Sequence, residues 1–154
     1  MNVLIVGGGK TGAQLTRRLL DEGHRVKLIE IRQETAERLN EELPADVVVI
    51  GDGSSPSIME AAGIKSAQVL AAVTGEDEAN LVITTLARFE FNVPRTIARV
   101  NNPKNAWLFT PEMGVDVALN QTDILAGLIV EEMSMGDMMT LLKLRRGLYS
   151  LVEE

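Results

Sequence analysis

The sequence contains no cysteine, a single histidine and few aromatic residues. Without cysteine there are no disulfides, thiol nucleophiles or cysteine-ligated zinc sites. His24 alone cannot build a multi-histidine metal site within one chain. One Trp, one Tyr and three Phe leave little surface for stacking on bases. Lys and Arg number 15 against 22 Asp and Glu, so the net charge of −7 does not favour nucleic-acid binding.

Long hydrophobic runs are also missing. No apolar run approaches the roughly 18 residues of a membrane span. The chain begins MNVLIVGGG, which enters a strand-like run directly and lacks the basic segment of a signal peptide. We therefore expect a soluble, cytoplasmic protein. Its 154 residues, 45% hydrophobic and 24% charged, are ordinary for a globular domain and exclude disorder over most of the length.

What the chain does have is an alternation of short apolar runs with amphipathic stretches. Continuous rather than alternating apolarity is typical of parallel strands that are covered on both faces. The pattern predicts an α/β fold of the Rossmann type, a doubly wound parallel sheet of six strands in the order 3-2-1-4-5-6. Gly23, Gly63 and Gly114 are expected to end helices, and Ser55-Pro56 to begin one. The apolar runs are Val3–Val6, Val26–Ile29, Val47–Ile50, Val69–Val73 and Ile97–Val100.

The C-terminal part has a different pattern. We assign residues 1–120 to the Rossmann domain and 121–136 to a helix whose apolar residues are candidates for dimerisation. Gly136-Asp137 is expected to break this helix. Residues 137–154 then read as a linker into a missing second domain, with Met138–Leu144 and Leu148–Val152 paired as a hairpin. The apolar residues of the helix are Ile124, Leu125, Leu128 and Ile129.

A glycine-rich loop follows the first strand and opens a helix. Gly7, Gly9 and Gly12 form the pattern G-x-G-x-x-G, which binds the pyrophosphate of a dinucleotide when a strand precedes it and a helix follows. The helix N-terminus offers free N–H groups to phosphates. Lys10 is expected to neutralise a phosphate or to remain solvated. A P-loop is excluded, because Leu4 stands where its first glycine is required.

An acidic residue ends the second strand. Glu30 lies 18 residues beyond Gly12, near the spacing expected for the carboxylate that holds a ribose diol. A carboxylate there accepts hydrogen bonds from the two ribose hydroxyl groups and repels a 2′-phosphate. NAD or an adenosine nucleotide is therefore favoured over NADP. Arg32 weakens this preference, because a nearby arginine accommodates a 2′-phosphate. The alternative is a structural glycine turn with a surface glutamate.

Further polar groups follow the other strands, where doubly wound sheets bind their ligands. Asp52 is expected to orient its loop or to bond an adenine amino group. Arg99 is expected to reach a phosphate or to pair with Asp77 or Glu76. Asn80 either bonds a loop carbonyl or faces solvent, and we expect the latter. The loops after the third and fourth strands are Gly51-Asp52-Gly53-Ser54 and Thr74-Gly75-Glu76-Asp77.

Three segments resemble the nucleotide-binding N-domain of TrkA-type potassium uptake regulators, also called KTN or RCK N-domains. They are VLIVGGGKTGAQLTRRLLDEGHRVKLIEIR, VVVIGDGSSPSIMEAAGIKSAQVLAAVTGEDEANL and TIARVNNPKNAWLFTPEMGVDVALNQTDILAGLI, and together they cover roughly residues 1–135. Ser54 stands where the family often has threonine.

The resemblance implies a regulatory subunit, not an enzyme, that binds NAD(H) or ATP/ADP and gates a membrane potassium transporter or channel from its cytoplasmic face. It also implies a homo-oligomer. The phosphates are expected at Gly7, Gly9, Lys10, Thr11 and Gly12. Ribose and adenine are expected at Glu30, Ile31 and Arg32, with Asp52, Gly53, Ser54, Thr74, Gly75 and Arg99 completing the crevice.

Two other functions fit the same fold. A truncated dehydrogenase needs a proton donor beside the nicotinamide, but His24 precedes the second strand, at the far edge of the sheet. Tyr149 is followed four residues later by Glu153, so a Tyr-x-x-x-Lys pair is absent. The second is a sensor of the NADH/NAD ratio whose partner is not a channel. The sequence does not distinguish such a sensor from a regulator of a potassium transporter.

Overall fold

The computed structural model describes residues 1–149, with side chains described for residues 1–139, 142 and 143. Met1–Asn120 forms one compact unit, and a second begins at Gln121. The strands are β1 (Asn2–Val6), β2 (Arg25–Glu30), β3 (Val48–Ile50), β4 (Val69–Ala72), β5 (Arg95–Val100) and β6 (Val117–Asn120). The α-helices are α1 (Lys10–Asp21), α2 (Gln33–Glu42), α3 (Pro56–Ala61), α4 (Asp77–Thr85) and α5 (Gln121–Tyr149).

The six strands are all parallel and follow the order β3-β2-β1-β4-β5-β6, which confirms the predicted topology. The order reverses at β1, which pairs with β2 on one side and β4 on the other. Val3 is the register partner of Val26 and of Val69. This reversal opens a crevice at the carboxyl ends of β1 and β4, immediately above the glycine loop.

The core lies on both faces of the sheet, as the continuous apolar runs predict. Val3 and Ile5 belong to one buried cluster, together with Ala13 of α1 and Leu39 of α2. Leu4 and Val6 belong to the other cluster, which includes side chains of α3 and α4. Because successive strand residues point to opposite faces and both faces are covered, the four buried residues of β1, Val3–Val6, are all apolar.

Short helical turns complete the first unit. Three are 3-10 turns, at Ile64–Ser66, Pro103–Leu108 and Pro111–Met113, and the turn Leu86–Glu90 after α4 is π-helical. Gly23, Gly63 and Gly114 follow helical segments with positive φ, in agreement with their predicted role. Ser55 does precede α3, but its hydroxyl bonds to the hydroxyl of Ser57 and caps no backbone N–H.

Helix α5 begins at Gln121, as predicted, but it does not end at Gly136. It continues to Tyr149, so the predicted break at Gly136-Asp137 and the hairpin beginning at Met138 are wrong over these residues. The remainder of the proposed second strand lies outside the described residues. Within the part of the chain that the structure describes, no helix has the length and apolarity to cross a membrane.

Candidate functional site

A cleft of about 720 Å³ lies at the carboxyl ends of the strands. Its size falls within the roughly 300–1,000 Å³ of ligand sites in proteins. The glycine loop, the end of β2 and the loops after β3 and β4 form its walls. The cleft is lined by Val6, Gly7, Gly9, Ile29, Glu30, Ile31, Arg32, Asp52, Gly53, Ser54, Val73, Thr74, Gly75, Glu76, Ala79, Ile83 and Arg99.

Two glycines of the loop are required by the fold itself. Gly7 has φ of +113°, a conformation that L-residues rarely adopt. A Cβ on Gly12 would lie 1.7 Å from the carbonyl oxygen of Gly7, so helix α1 approaches the loop too closely for any side chain. In this motif the first glycine permits a tight turn and the third allows helix and strand to pack closely, and Gly7 and Gly12 have these two roles here.

Gly9 is a glycine that the fold does not require. Its φ of −71° and ψ of −167° are accessible to any residue, and a Cβ there would meet no atom within 4 Å. The backbone of Gly9 lines the cleft and precedes the first residue of α1, so it is open to a group approaching the helix N-terminus. Neither backbone strain nor packing requires a glycine here, although glycine is a favoured residue at the N-cap position that Gly9 occupies.

Glu30 is 3% exposed and its carboxylate accepts four hydrogen bonds. Oε1 accepts from the Gly8 amide at 2.8 Å and from Nη2 of Arg32 at 3.1 Å. Oε2 accepts from the Arg32 amide at 2.6 Å and from Nε of Arg32 at 3.1 Å. The side chain predicted to hold a ribose therefore holds the glycine loop and Arg32 in this state.

The electrostatics of this pair follow from these contacts. Burial raises the pKa of Glu30, but the hydrogen bonds from Arg32 and from the Gly8 amide outweigh it, so the pKa lies below its ordinary value. The same contact raises the pKa of Arg32. Glu30 is thus a carboxylate at neutral pH, and its charge is balanced by a guanidinium whose side chain is 62% exposed.

The loop after β3 is held by its own acid. Oδ1 of Asp52 accepts hydrogen bonds from the Ser54 amide at 2.9 Å and the Ser54 hydroxyl at 2.7 Å. These bonds, the hydroxyl foremost, lower the pKa of Asp52. Gly53 lies against Val6, whose Cγ1 would be 2.2 Å from an added Cβ. Of the two roles predicted for Asp52, orienting the loop is the one its contacts display.

Asn80 is completely buried, so the expectation that it faces solvent is wrong, and the alternative, a bond to a loop carbonyl, is the one observed. Its Oδ1 accepts from the amide of Thr74 at 3.0 Å and from the hydroxyl of Thr74 at 2.7 Å. Its Nδ2 donates to the carbonyl oxygens of Thr74 at 3.1 Å and Arg99 at 2.9 Å. Helix α4 therefore ties the end of β4 to the end of β5 beneath the cleft.

Asp77 and Arg99 do not form the ion pair that the sequence left open. Asp77 accepts from the amides of Asn101 at 2.6 Å and Asn102 at 2.9 Å, and from the side chain of Asn105 at 2.8 Å. Burial raises the pKa of Asp77, but these bonds together lower it below its ordinary value. Among the described residues, Nε of Arg99 is buried without a hydrogen-bond partner, and the side chain lines the cleft.

The cleft brings together most of the predicted site residues. Three lie outside it: Gly12 is packed on Gly7, Thr11 is exposed on α1, and Lys10 lines a second cleft on the outer side of the glycine loop. Sequence reasoning missed the apolar floor, for which the ends of the strands and the spacing along α4 were the available signals. The missed apolar lining residues are Val6, Ile29, Val73, Ala79 and Ile83, and Glu76, predicted only as part of its loop, also lines the cleft.

The family model of the TrkA-N domain matches residues 3–121 of this chain. One relative is the Trk system potassium uptake protein TrkA of Mycobacterium tuberculosis. It is 39% identical over 153 residues, which are 99% of this chain and 69% of that protein.

Similar structures include the TrkA-N domain of the inner membrane protein ybaL from Escherichia coli. It has a TM-score of 0.74 at 23% identity over 84% of this chain and 94% of that chain. The GsuK channel bound to NAD has a TM-score of 0.72 at 21% identity, over 88% of this chain and 24% of that chain. Both share the fold described above.

Proposed function

Because this chain belongs to the TrkA-N domain family, we propose that it is the regulatory nucleotide-binding part of a potassium uptake system. The observation that carries the proposal is the open backbone at Gly9, which neither strain nor packing explains and which lines a cleft of nucleotide size. Its ligand is NAD(H) or ATP/ADP. The protein acts at the cytoplasmic face of the membrane, where it is held by its transporter or channel partner.

The ligand's phosphates lie on the glycine loop, where the Gly9 backbone and the N-terminus of α1 face them. Its ribose lies at Glu30, and its adenine between Ile31 and the loop that Asp52 orients. A carboxylate has about four acceptor positions, and four donors already fill those of Glu30. Each ribose hydroxyl that bonds to Glu30 therefore replaces one of these donors, from the Gly8 amide or from Arg32.

Regulation follows from differential binding. A ligand shifts an equilibrium between two conformations only by its difference in affinity for them. Binding at Glu30 replaces a hydrogen bond from Gly8 or Arg32. Binding at the loops after β3 and β4 connects the two halves of the sheet, because these strands lie on opposite sides of β1. Nucleotides that differ in these contacts favour different conformations, and the membrane partner responds to the conformation.

Helix α5 supports assembly with further copies of the chain. Ile124, Leu125, Leu128 and Ile129 are between 45% and 58% exposed, and four methionines further along the helix are more than half exposed. Contiguous apolar surface of this kind marks an interaction site in a protein of ordinary composition. We assign this row to contacts between protomers.

No catalytic role is proposed. The ring of His24, the single histidine, lies 3.0 Å from the N-terminal amine through Nδ1, at the amino ends of the strands, and the cleft is at their carboxyl ends. Among the residues that the structure describes, the acids that line the cleft are Glu30, Asp52 and Glu76. The first two are occupied in holding the protein's own loops.

Isothermal titration calorimetry with NAD, NADH, ATP and ADP tests the proposal. We expect the wild-type protein to bind at least one of them, and Glu30→Ala to weaken that binding by about 1.5–3 kcal/mol, the value of hydrogen bonds to a charged group. Glu41→Ala, an exposed acid on α2, is the matched control and should bind as the wild type does. Failure of all four nucleotides to bind the wild type would contradict the proposal.

A further inference from the structure

The second cleft, of about 580 Å³, lies on the outer side of the glycine loop between α1 and α2. We call it the cationic cleft, because Lys10, Arg17, Arg32 and Arg38 line it against a single acid, Glu42. No part of the proposed NAD or ATP pose explains this concentration of positive charge. It occurs in a chain whose net charge is −7.

Two of the four cations have no counter-charge within the described residues. Arg17 pairs with Glu42, and Arg32 pairs with Glu30. Lys10 and Arg38 form no ion pair or hydrogen bond through their side chains within the part of the chain that the structure describes. An anion placed between α1 and α2 would therefore meet two uncompensated charges and the spare donors of Arg32.

Arg32 connects this cleft to the nucleotide cleft, since it and Gly9 line both. A guanidinium carries five N–H donors. Arg32 uses only Nε and one N–H of Nη2 on Glu30, so three N–H groups remain available. One ligand can therefore have its ribose beside Glu30 and a phosphate beside Arg32.

Glu30 does not exclude such a phosphate in the way that the sequence suggests. A carboxylate at this position normally repels a 2′-phosphate because its charge is exposed to the ribose. Here the carboxylate is 3% exposed, and its charge is balanced by the paired guanidinium of Arg32. Arginine near the end of the second strand is also the group that accommodates a 2′-phosphate in Rossmann folds.

We propose that the cationic cleft is a phosphate subsite that receives the 2′-phosphate of a dinucleotide whose ribose lies at Glu30. The protein then accepts NADP(H), with Arg38, Lys10 and Arg32 contacting the added phosphate. This inference rests on the proposed nucleotide site and names the ligand class of that site more closely. It reverses the preference for an unphosphorylated ribose that Glu30 alone indicates.

The test compares the dissociation constants of NADP and NAD by calorimetry at one fixed ionic strength, for wild type, Arg38→Gln and Arg18→Gln. Arg38 lines only the cationic cleft, and Arg18 is an exposed arginine of α1 outside both clefts. We expect the wild type to bind NADP at least as tightly as NAD. Arg38→Gln should weaken NADP about tenfold or more, as expected for a lost charged hydrogen bond, and leave NAD unchanged. Arg18→Gln should alter neither.

Unchanged NAD binding by Arg38→Gln also shows that this variant is folded. The inference would be overturned, and the proposed function left intact, if the wild type bound NAD but bound NADP much more weakly, and if Arg38→Gln changed neither affinity. If neither dinucleotide binds, the inference is overturned. The proposed function is then overturned as well, unless ATP or ADP binds.

Inorganic phosphate is titrated in a separate experiment. If it binds in an Arg38-dependent way while NADP has no advantage over NAD, the cleft serves a free phosphate ligand, and the 2′-phosphate assignment is wrong.

Discussion

Gly9 and Gly12 are glycines of the same loop, but they lack a side chain for different reasons. At Gly12 a Cβ would collide with the Gly7 carbonyl at 1.7 Å. At Gly9 a Cβ would enter open space at the edge of both clefts. The first glycine serves the packing of the protein, and the second is free to serve a ligand.

Gly9→Val separates these two roles. We expect nucleotide binding to be lost, because the side chain fills the position where phosphates approach the backbone. The free energy of unfolding should fall by about 1 kcal/mol or less, since the cost is limited to a poorer N-cap of α1. Calorimetry and thermal unfolding measure the two effects. Nucleotide binding by Gly9→Val at wild-type affinity would show that the phosphates lie elsewhere. Gly12→Ala is the contrasting variant, and its main expected effect is a loss of stability.

The lowered pKa of Asp77 predicts how the free energy of unfolding depends on pH. Its pKa is lowered in the folded protein, whereas the unfolded chain has the ordinary value near 3.9. The carboxylate therefore contributes its full stabilisation above about pH 4, and this contribution is lost as the pH falls through the lower, folded value. We expect the free energy of unfolding to decrease from about pH 4 downwards, with Glu30 adding to the same slope.

Denaturant titrations between pH 2 and pH 7 measure this slope. Asp77→Asn removes the titrating group, so its curve should be flatter in the acidic range and its stability at pH 7 lower. Asp21→Asn is the matched control, because Asp21 is an exposed residue of α1. An identical acid slope in wild type and Asp77→Asn would show that Asp77 does not carry this dependence.

At the scale of elements, a buried polar side chain of α4, Asn80, joins this helix to the ends of two strands. Asn80 bonds to the ends of β4 and β5, so it sets the positions of Thr74 and Arg99 at the cleft. Sequence pattern could not reveal this, because an asparagine on a helix is most often solvated. Asn80 is buried because its face of α4 packs against the loop after β4. Tertiary packing decides which face of the helix does so.

Asn80→Ala should lower the free energy of unfolding by about 2–3 kcal/mol. The substitution leaves the Thr74 amide without its acceptor and removes one donor from the Arg99 carbonyl, whereas the Thr74 carbonyl keeps the donor from Asn101. An unsatisfied buried group costs about 1–3 kcal/mol. Urea denaturation followed by circular dichroism measures the change. Asn40→Ala, at an exposed position on α2, should change stability by less than about 0.5 kcal/mol. Equal effects of the two substitutions would contradict a stabilising role for the hydrogen bonds of Asn80.

Helix α5 shows the limit of local signals at this scale. Gly136-Asp137 resembles a helix end, because glycine costs about 1 kcal/mol relative to alanine in a helix. The penalty is small against the good helix formers on both sides, such as Met133, Met135, Met138 and Met139, so the helix continues. A glycine ends a helix where its positive φ is also used, as at Gly23.

At the scale of the whole molecule, the exposed row of α5 predicts self-association. We expect the double substitution Leu125→Asp and Leu128→Asp to shift the protein toward monomer, because two charges cannot be buried in an apolar interface without partners. Sedimentation velocity measures the shift. Ser134→Asp is the control, because it adds a charge half a turn around the helix from Leu125. Equal sedimentation of all three proteins would contradict a protomer contact through this row.

The sequence by itself determined the α/β class, the strand order, the start of α5 and the position of the glycine loop. These depend on local periodicity and on the chirality of crossover connections, both of which are written along the chain. The sequence also identified Glu30 and the loops after the strands as candidate site residues, because parallel strands bring their carboxyl ends to one edge of the sheet.

Tertiary structure alone decided what those groups contact. The pairing of Glu30 with Arg32 and Gly8, the burial of Asn80 and the capture of Asp77 by the loop after β5 depend on distances between separate elements. The cationic cleft is likewise formed only when α1 and α2 lie side by side. Sequence spacing places a residue on an element, whereas the partner of its side chain is fixed when elements pack.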